Sequence, residues 1–142
     1  MIITGTCHCR NISVRFETRR AEAELNPVTC PCGFCAAHGA VYVADSDGTA
    51  TLHIEEPGAV VHYRFGEQTT EYLICGRCGI FVAAIIGGNE EEQPACFSAL
   101  NLNVMDQAAG APSVDEVWKN QTAEERRIFR QTRWTPTVIT QR

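Results

Sequence analysis

Cysteine residues carry most of the chemistry that this sequence could do. The chain has eight cysteines in 142 residues, and seven of them fall in three short clusters. The clusters are Cys7-His8-Cys9, Cys30-Pro31-Cys32-Gly33-Phe34-Cys35 and Cys75-Gly76-Arg77-Cys78. Cysteines separated by one or two residues rarely bridge each other, but they chelate a single metal ion readily. The pattern therefore indicates metal binding or thiol catalysis rather than a disulfide framework.

The first and third clusters are predicted to form one structural zinc site. Each cluster would supply two thiolates, and four thiolates in a tetrahedron are a common structural set. The predicted ligands are Cys7, Cys9, Cys75 and Cys78. Gly76 and Gly79 are predicted to allow a tight turn, because glycine adopts positive φ without a Cβ clash. Closing this site would join the first strand to a strand in the second half of the chain.

The middle cluster offers three ligands, Cys30, Cys32 and Cys35, from what is predicted to be one loop. No fourth cysteine is adjacent, so the fourth position would be taken by His38, by water or by a substrate atom. A zinc ion with three protein ligands and an open position is the catalytic pattern, whereas four protein ligands are the structural pattern. The spacing leaves these alternatives open.

The segments between the clusters are predicted to be mainly β. Ile12, Val14 and Phe16 alternate with polar residues, which is the period of a half-buried strand. Residues 80–86 are almost continuously apolar, which predicts a strand that is buried on both faces. A hairpin turn is predicted at residues 45–48, and a flexible acidic loop at residues 87–94.

The C-terminal region is predicted to contain one short helix. Thr122 and Glu125 have the spacing of a capping box, which predicts a helix that runs to about Arg130. An extended end follows Trp134. Arginines crowd this region and are interpreted either as a solvated helix face or as partners for an anionic ligand: Arg126, Arg127, Arg130 and Arg133.

Length and composition predict a single globular domain over residues 1–142. The sequence is 44% hydrophobic and 20% charged, which is ordinary for a globular protein. The net charge of −5 argues against nucleic-acid binding, because phosphate contacts need a basic face. No segment is long and apolar enough to span a membrane, and the N-terminus lacks the features of a secretory signal. A cytoplasmic location is therefore expected.

Taken together, the three clusters resemble those of the glutathione-dependent formaldehyde-activating enzyme (Gfa-like) family. The resemblance begins at residues 5–17, continues through the middle cluster with Gly39-Ala40, includes Cys75-x-x-Cys78-Gly79 and ends in the 90s. It implies an Mss4-like fold of coiled antiparallel sheets tied by zinc. It also implies two zinc ions, a structural one at Cys7, Cys9, Cys75 and Cys78 and a catalytic one at Cys30, Cys32 and Cys35.

The same resemblance implies a reaction and a small-molecule thiol as partner. Members of this family condense formaldehyde with glutathione to S-hydroxymethylglutathione, and they are classed as carbon–sulfur lyases for the reverse direction. An open zinc could lower the pKa of the glutathione thiol or polarise the aldehyde. Because three thiolates already weaken the Lewis acidity of the ion, thiol binding is the favoured role. Arg10, Arg64 and Arg77 are candidate partners for the glutathione carboxylates.

A second interpretation is a zinc-stabilised module without catalytic activity. Such a module would bind or carry a thiol ligand, a metal or a protein partner. The coordination of the middle cluster discriminates between the two interpretations, because an open metal position favours the enzyme and a closed one favours the module.

Overall fold

The computed structural model describes residues 1–89, 93–106 and 113–142. Its strands are β1 (Ile2–Thr6), β2 (Ile12–Glu17), β3 (Val28–Thr29), β4 (Tyr42–Val43), β5 (Thr49–Ile54), β6 (Val60–Tyr63), β7 (Glu71–Cys75), β8 (Phe81–Asn89), β9 (Gln93–Asn101), β10 (Ser113–Val114) and β11 (Thr135–Gln141). The α-helices of the described residues are α1 (Gly33–His38) and α2 (Ala123–Arg133), and single 3₁₀ turns cover Glu22–Glu24, Pro57–Ala59, Leu102–Val104 and Val117–Asn120. The predicted mainly β fold with a short C-terminal helix is confirmed.

The strands form one mixed, hydrogen-bonded network. Its order is β1-β2-β5-β11-β9-β4-β3-β10, and β6, β7 and β8 join it through the pairing of β8 with β9. β11 connects the two parts of the network, because residues 135–136 pair with β9 and residues 137–141 run parallel to β5. The extended end that was expected after Trp134 is therefore a strand inside the network.

Strand β8 separates two hydrophobic cores. Residues 81–86 are all buried, which confirms the prediction of a strand covered on both faces. Val82 and Ile85 belong to the larger core, which also holds the inward residues of β2 and β5. Phe81 and Ala84 belong to the smaller core, which is rich in aromatic residues. The candidate sites described below lie at these two cores.

The prediction of a hairpin at residues 45–48 is wrong. A turn is present, with a hydrogen bond from the Gly48 N–H to the Asp45 carbonyl at 3.0 Å. The flanking strands do not pair with each other, because β4 pairs with β3 and β9 whereas β5 pairs with β2 and β11. Asp45 is buried and its carboxylate accepts a hydrogen bond from Thr18, so tertiary contacts fix this turn.

The loop predicted at residues 87–94 is shorter than expected. Strand β8 continues to Asn89 and strand β9 begins at Gln93. The remainder of that prediction, residues 90–92, lies outside the described residues.

Helix α2 begins as its capping box predicts. The Thr122 hydroxyl accepts a hydrogen bond from the Glu125 N–H at 3.1 Å, and the Glu125 carboxylate accepts one from the Thr122 N–H at 3.2 Å. These bonds satisfy two backbone donors that an uncapped helix would leave free. The helix continues to Arg133, three residues beyond the predicted end. No helix in the described part of the chain is both long enough and apolar enough to cross a membrane.

Candidate metal centres

The first and third cysteine clusters meet in space, as predicted. The sulfur atoms of Cys7, Cys9, Cys75 and Cys78 all lie within 4.8 Å of one another. The Cys7–Cys9 and Cys9–Cys75 sulfur distances are 3.8 Å and 3.4 Å. A tetrahedral zinc site with Zn–S bonds of about 2.3 Å needs sulfurs about 3.8 Å apart. This four-cysteine cluster could therefore hold a metal ion with four protein ligands.

Two similar tight turns position these thiols. After β1, the Cys7 N–H donates to the Ile12 carbonyl at 2.9 Å, and the Ile12 N–H donates back to the Cys7 sulfur at 3.3 Å. After β7, the Cys75 N–H donates to the Ile80 carbonyl at 2.9 Å. Gly79 has φ of +77°, as its predicted role in the turn requires. Each turn thus aims two sulfurs at one point.

The prediction for Gly76 is wrong in its physical reason. Gly76 does not adopt positive φ. Its N–H donates to the Ala59 carbonyl at 2.7 Å, and a Cβ at this position would lie 2.7 Å from the same oxygen. Glycine is needed here because the turn packs its backbone directly against the 3₁₀ turn Pro57–Ala59.

The four-cysteine cluster is built into the larger core. Cys7 and Cys75 are fully buried, and burial raises the pKa of the Cys7 thiol to about 12. Burial also acts to raise the pKa of Cys78, but hydrogen bonds from the N–H groups of Cys9 and Ile80 and from neighbouring thiols bring it down to about 6. Cys9 is exposed and Cys78 is half-buried, so the cluster reaches from this core to the surface. Four thiols that converge on one point fit a structural metal with four protein ligands.

The middle cluster lies partly on the predicted loop and partly on a short helix, because Cys30 and Cys32 precede α1 and Cys35 lies within it. Cys32 is the N-cap of α1, and its sulfur accepts a hydrogen bond from the Cys35 N–H at 3.4 Å. Gly39 ends the helix in the left-handed conformation, with φ of +59°. Because the N-cap and the third helical residue lie on the same side of the first turn, Cys32 and Cys35 converge. The sulfurs of Cys30, Cys32 and Cys35 lie within 4.8 Å of one another, so this three-cysteine cluster could also hold a metal ion.

His38 does not complete the three-cysteine cluster. Neither of its ring nitrogens lies within 4.8 Å of all three sulfurs. Its ring packs instead on Phe34 and Phe81, with centroid distances of 4.5 Å and 5.5 Å. Of the three occupants considered for the fourth position, this geometry removes the histidine and leaves water or a substrate atom.

Phe34 anchors the three-cysteine cluster to the smaller core. Its ring lies 4.5 Å from that of Tyr72 and 5.1 Å from that of Phe81, and it also contacts Tyr63 and Phe65. Aromatic contacts of this kind each contribute about 0.5–1.5 kcal/mol beyond the area they bury. Phe34, which lies between Cys32 and Cys35 in the sequence, thus holds α1 in place.

The thiols of the three-cysteine cluster differ in acidity. A hydrogen bond from Cys35 lowers the pKa of Cys30 to about 6. The same interaction, with burial, raises the pKa of Cys35 well above its ordinary value. The Tyr42 hydroxyl lies 3.0 Å from the Cys35 sulfur, and burial raises the pKa of Tyr42 so that the phenol keeps its proton. Tyr42 can therefore donate a hydrogen bond to a Cys35 thiolate.

A cavity of about 460 Å³ opens beside the three-cysteine cluster. Cys30 and Cys35 line it, whereas no residue of the four-cysteine cluster does. Its aromatic and charged lining residues are Tyr42, Tyr72, Trp118, Phe129, Trp134, Arg20, Asp115, Arg130 and Arg133. A concave site of this volume can accept a small organic molecule. The two cysteine clusters therefore differ in their surroundings, because only the three-cysteine cluster contributes to the lining of this cavity.

The arginines proposed for glutathione from the sequence do not lie in this cavity. Arg64 pairs with Glu71 at 3.6 Å and Arg77 pairs with Glu56, and neither of them nor Arg10 is among the lining residues. Arg130 and Arg133 line it instead. The signal for them was the arginine crowding of the C-terminal region. Trp118 and Trp134, which also line the cavity, carried no signal in the sequence.

The protein thus has a mainly β fold with two convergent cysteine clusters that could each hold a metal ion, and one of these clusters lies beside a cavity. Residues 2–121 match the profile of a family described as glutathione-dependent formaldehyde-activating enzyme. The chain belongs to this family, as its cysteine pattern predicted. No curated protein matches the chain.

A solved structure supports the fold independently. The chain is similar to a Rhodobacter sphaeroides protein, with a TM-score of 0.57 and 21% sequence identity. The alignment covers 79% of this chain and 99% of that chain.

Proposed function

We propose that the protein is a zinc-dependent carbon–sulfur lyase of the Gfa type. Its substrate would be the adduct of formaldehyde with glutathione or another small thiol, and the reverse reaction would form S-hydroxymethylglutathione. The observation that carries this proposal is the opening of the three-cysteine cluster onto the cavity. Membership of the family supports the reaction class.

The proposed site residues divide by cluster. Cys30, Cys32 and Cys35 are assigned to a catalytic zinc ion, and Cys7, Cys9, Cys75 and Cys78 to a structural one. A zinc ion bound by the three cysteines would hold the sulfur of an incoming thiol as a thiolate at neutral pH. Tyr42 would donate a hydrogen bond to Cys35, and the surrounding aromatic side chains would keep bulk water from the reacting groups.

In the overall reaction, the thiol sulfur forms a bond to the aldehyde carbon and the thiol proton ends on the new hydroxyl oxygen. Burial raises the pKa of Tyr72, as it does that of Tyr42, so both phenols stay protonated hydrogen-bond donors. The Tyr42 O–H is used by Cys35, so Tyr72, which also lines the cavity, is the proposed hydrogen-bond donor to the substrate oxygen. We propose that residues 1–142 act as one domain, because β11 joins both parts of the strand network. A reducing compartment such as the cytoplasm suits thiol-based sites.

Exchange NMR with carbon-13 formaldehyde and glutathione tests the proposed reaction. The zinc-loaded protein should speed the exchange between hydrated formaldehyde and S-hydroxymethylglutathione above the uncatalysed rate. Cys32→Ser should return it to the uncatalysed rate, because it removes one of three metal ligands. Cys96→Ser is the matched control, since Cys96 belongs to neither cluster, and it should exchange like the native protein.

Three results would count against this proposal. Exchange by the native protein no faster than in buffer would remove the catalytic role. Saturable glutathione binding without faster exchange would instead support the non-catalytic binding module. Full activity in Cys32→Ser would show that the reaction occurs elsewhere.

A further inference from the structure

The C-terminal segment, residues 117–134, forms one wall of the cavity, and this wall is cationic and aromatic. Arg130 is half-buried, with its guanidinium carbon 5.0 Å from the centroid of the Trp134 ring, and it donates a hydrogen bond to the Thr70 hydroxyl. The Arg133 guanidinium lies 5.0 Å from the centroid of the Phe129 ring. These contacts fix the orientation of both guanidinium groups and leave some of their N–H donors available to a ligand.

Neither guanidinium has a carboxylate partner among the described residues. Of the other charged lining residues, Arg20 pairs with Asp45 at 3.3 Å. The Asp115 carboxylate accepts a hydrogen bond from the Val117 N–H at 3.1 Å, and its charge also attracts Arg130. Elsewhere on α2, Arg126 pairs with Glu67 and Arg127 pairs with Glu124. Arg130 and Arg133 are thus set apart from the paired arginines of the same helix by their place on the cavity.

A buried donor on the same wall also lacks an acceptor. The indole nitrogen of Trp118 is buried and has no hydrogen-bond partner among the described residues. Trp118 lines the cavity together with the two arginines. An unsatisfied buried donor costs about 1–3 kcal/mol, and a ligand oxygen would remove that cost.

We propose that Arg130 and Arg133, with the indole N–H of Trp118, form a carboxylate-binding subsite in this cavity. A carboxylate accepts paired hydrogen bonds from a guanidinium, which favours arginine over lysine for this task. The cavity would therefore select small thiols that carry a carboxylate, with the sulfur toward Cys30 and Cys35. The placement of the sulfur toward the cysteines rests on the proposed function, whereas the binding of the carboxylate by the two arginines does not.

The two arginines follow the family match, which ends at residue 121. The matched region thus supports the reaction class and includes Trp118, whereas both guanidinium groups of the proposed subsite come after it. This arrangement would let the C-terminal segment set which thiol is accepted without altering the cysteine cluster.

Calorimetric titration of the zinc-loaded protein with S-methylglutathione tests the subsite. This probe keeps both glutathione carboxylates and has no free thiol, so it reports the subsite independently of thiol binding. The native protein should bind it at least about tenfold more tightly than the same probe with both carboxylates esterified, since charge-assisted hydrogen bonds are lost. Arg130→Gln should weaken binding of the acid by about tenfold or more and leave binding of the ester unchanged.

Matched variants separate the subsite from effects on folding. Arg127→Gln is the matched control, because Arg127 lies on the same helix and pairs with Glu124. This variant should bind S-methylglutathione like the native protein. Arg133→Gln alters an exposed residue, so it gives the answer if Arg130→Gln does not fold. Equal affinity of the native protein for acid and ester, or undiminished acid binding in both variants, would overturn the inference. If catalysis of exchange is absent but Arg130→Gln still loses the acid, the proposed function fails and the subsite stands.

Discussion

At the scale of single residues, neighbouring thiols control one another's ionisation. In the three-cysteine cluster, Cys35 donates a hydrogen bond that lowers the pKa of Cys30, and Cys35 in turn keeps its proton more firmly. Tyr42 lies against the Cys35 sulfur and remains protonated because it is buried. The cluster therefore favours one thiolate at neutral pH before any ligand binds. Its chemistry follows from three side chains within hydrogen-bonding range.

This asymmetry predicts selective alkylation of Cys30 once the metal is removed from the three-cysteine cluster and kept in the four-cysteine cluster. The thiolate fraction rises as pH rises through the pKa, so iodoacetamide labelling of Cys30 should be half-maximal near pH 6. An ordinary thiol reaches that point near pH 8.5. Peptide mapping by mass spectrometry measures the rate at each residue.

Cys96 serves as the internal reference for this experiment, because burial raises its pKa to about 11. It should remain unlabelled over the same pH range. A half-maximal pH for Cys30 near the ordinary value would contradict the proposed stabilisation of its thiolate by Cys35.

At the scale of elements, backbone contacts bring the ligands together. The turn after β7 rests on the 3₁₀ turn Pro57–Ala59 through the Gly76 N–H, and there is no room for a Cβ at Gly76. The turn after β1 repeats the pattern with Cys7 and Ile12. The precision of the four-cysteine cluster thus depends on two turns that are each fixed by their own hydrogen bonds.

Gly76→Ala should destabilise the metal-loaded protein by about 1–3 kcal/mol, the usual cost of forcing an added methyl group into a packed region. Chemical denaturation measures the free energy of unfolding. Gly58→Ala is the control from the adjoining 3₁₀ turn, because a Cβ at Gly58 would meet no atom within 4 Å. It should change stability by no more than about 0.5 kcal/mol. Equal stability of the two variants would contradict the close packing.

The sequence predicted the features that depend on local pattern. Alternation at Ile12, Val14 and Phe16 indicated β2, the apolar run indicated β8, and Thr122 with Glu125 indicated the start of α2. Cysteine spacing predicted the members of both clusters, because chelation requires short spacing within each pair.

These local patterns did not predict which strands pair with each other. Alternation shows which face of a strand is buried, but it does not show which strand lies beside it. The prediction of a hairpin at residues 45–48 was therefore wrong, and the pairing of β11 with β5 was not predicted. The cavity was missed for the same reason, since its walls combine α1, β4 and the C-terminal segment.

At the scale of the whole molecule, we propose separate tasks for the two clusters. The four-cysteine cluster brings the turn after β1 to the turn after β7, and Cys7, Cys75 and Cys78 pack in the larger core. The three-cysteine cluster lies at the smaller aromatic core and opens onto the cavity. Structural zinc contributes about 10–16 kcal/mol in small peptides, which is comparable to the stability of a whole domain at about 5–15 kcal/mol. Loss of the first metal should therefore unfold the chain, whereas loss of the second should not.

Zinc counting by native mass spectrometry, combined with thermal unfolding, tests this division of tasks most directly. The native protein should carry two zinc ions. Cys32→Ser should carry one and keep a melting temperature close to the native one, whereas Cys78→Ser should fail to fold stably. A stable Cys78→Ser with unchanged melting, or a Cys32→Ser that unfolds or retains both ions, would contradict the account.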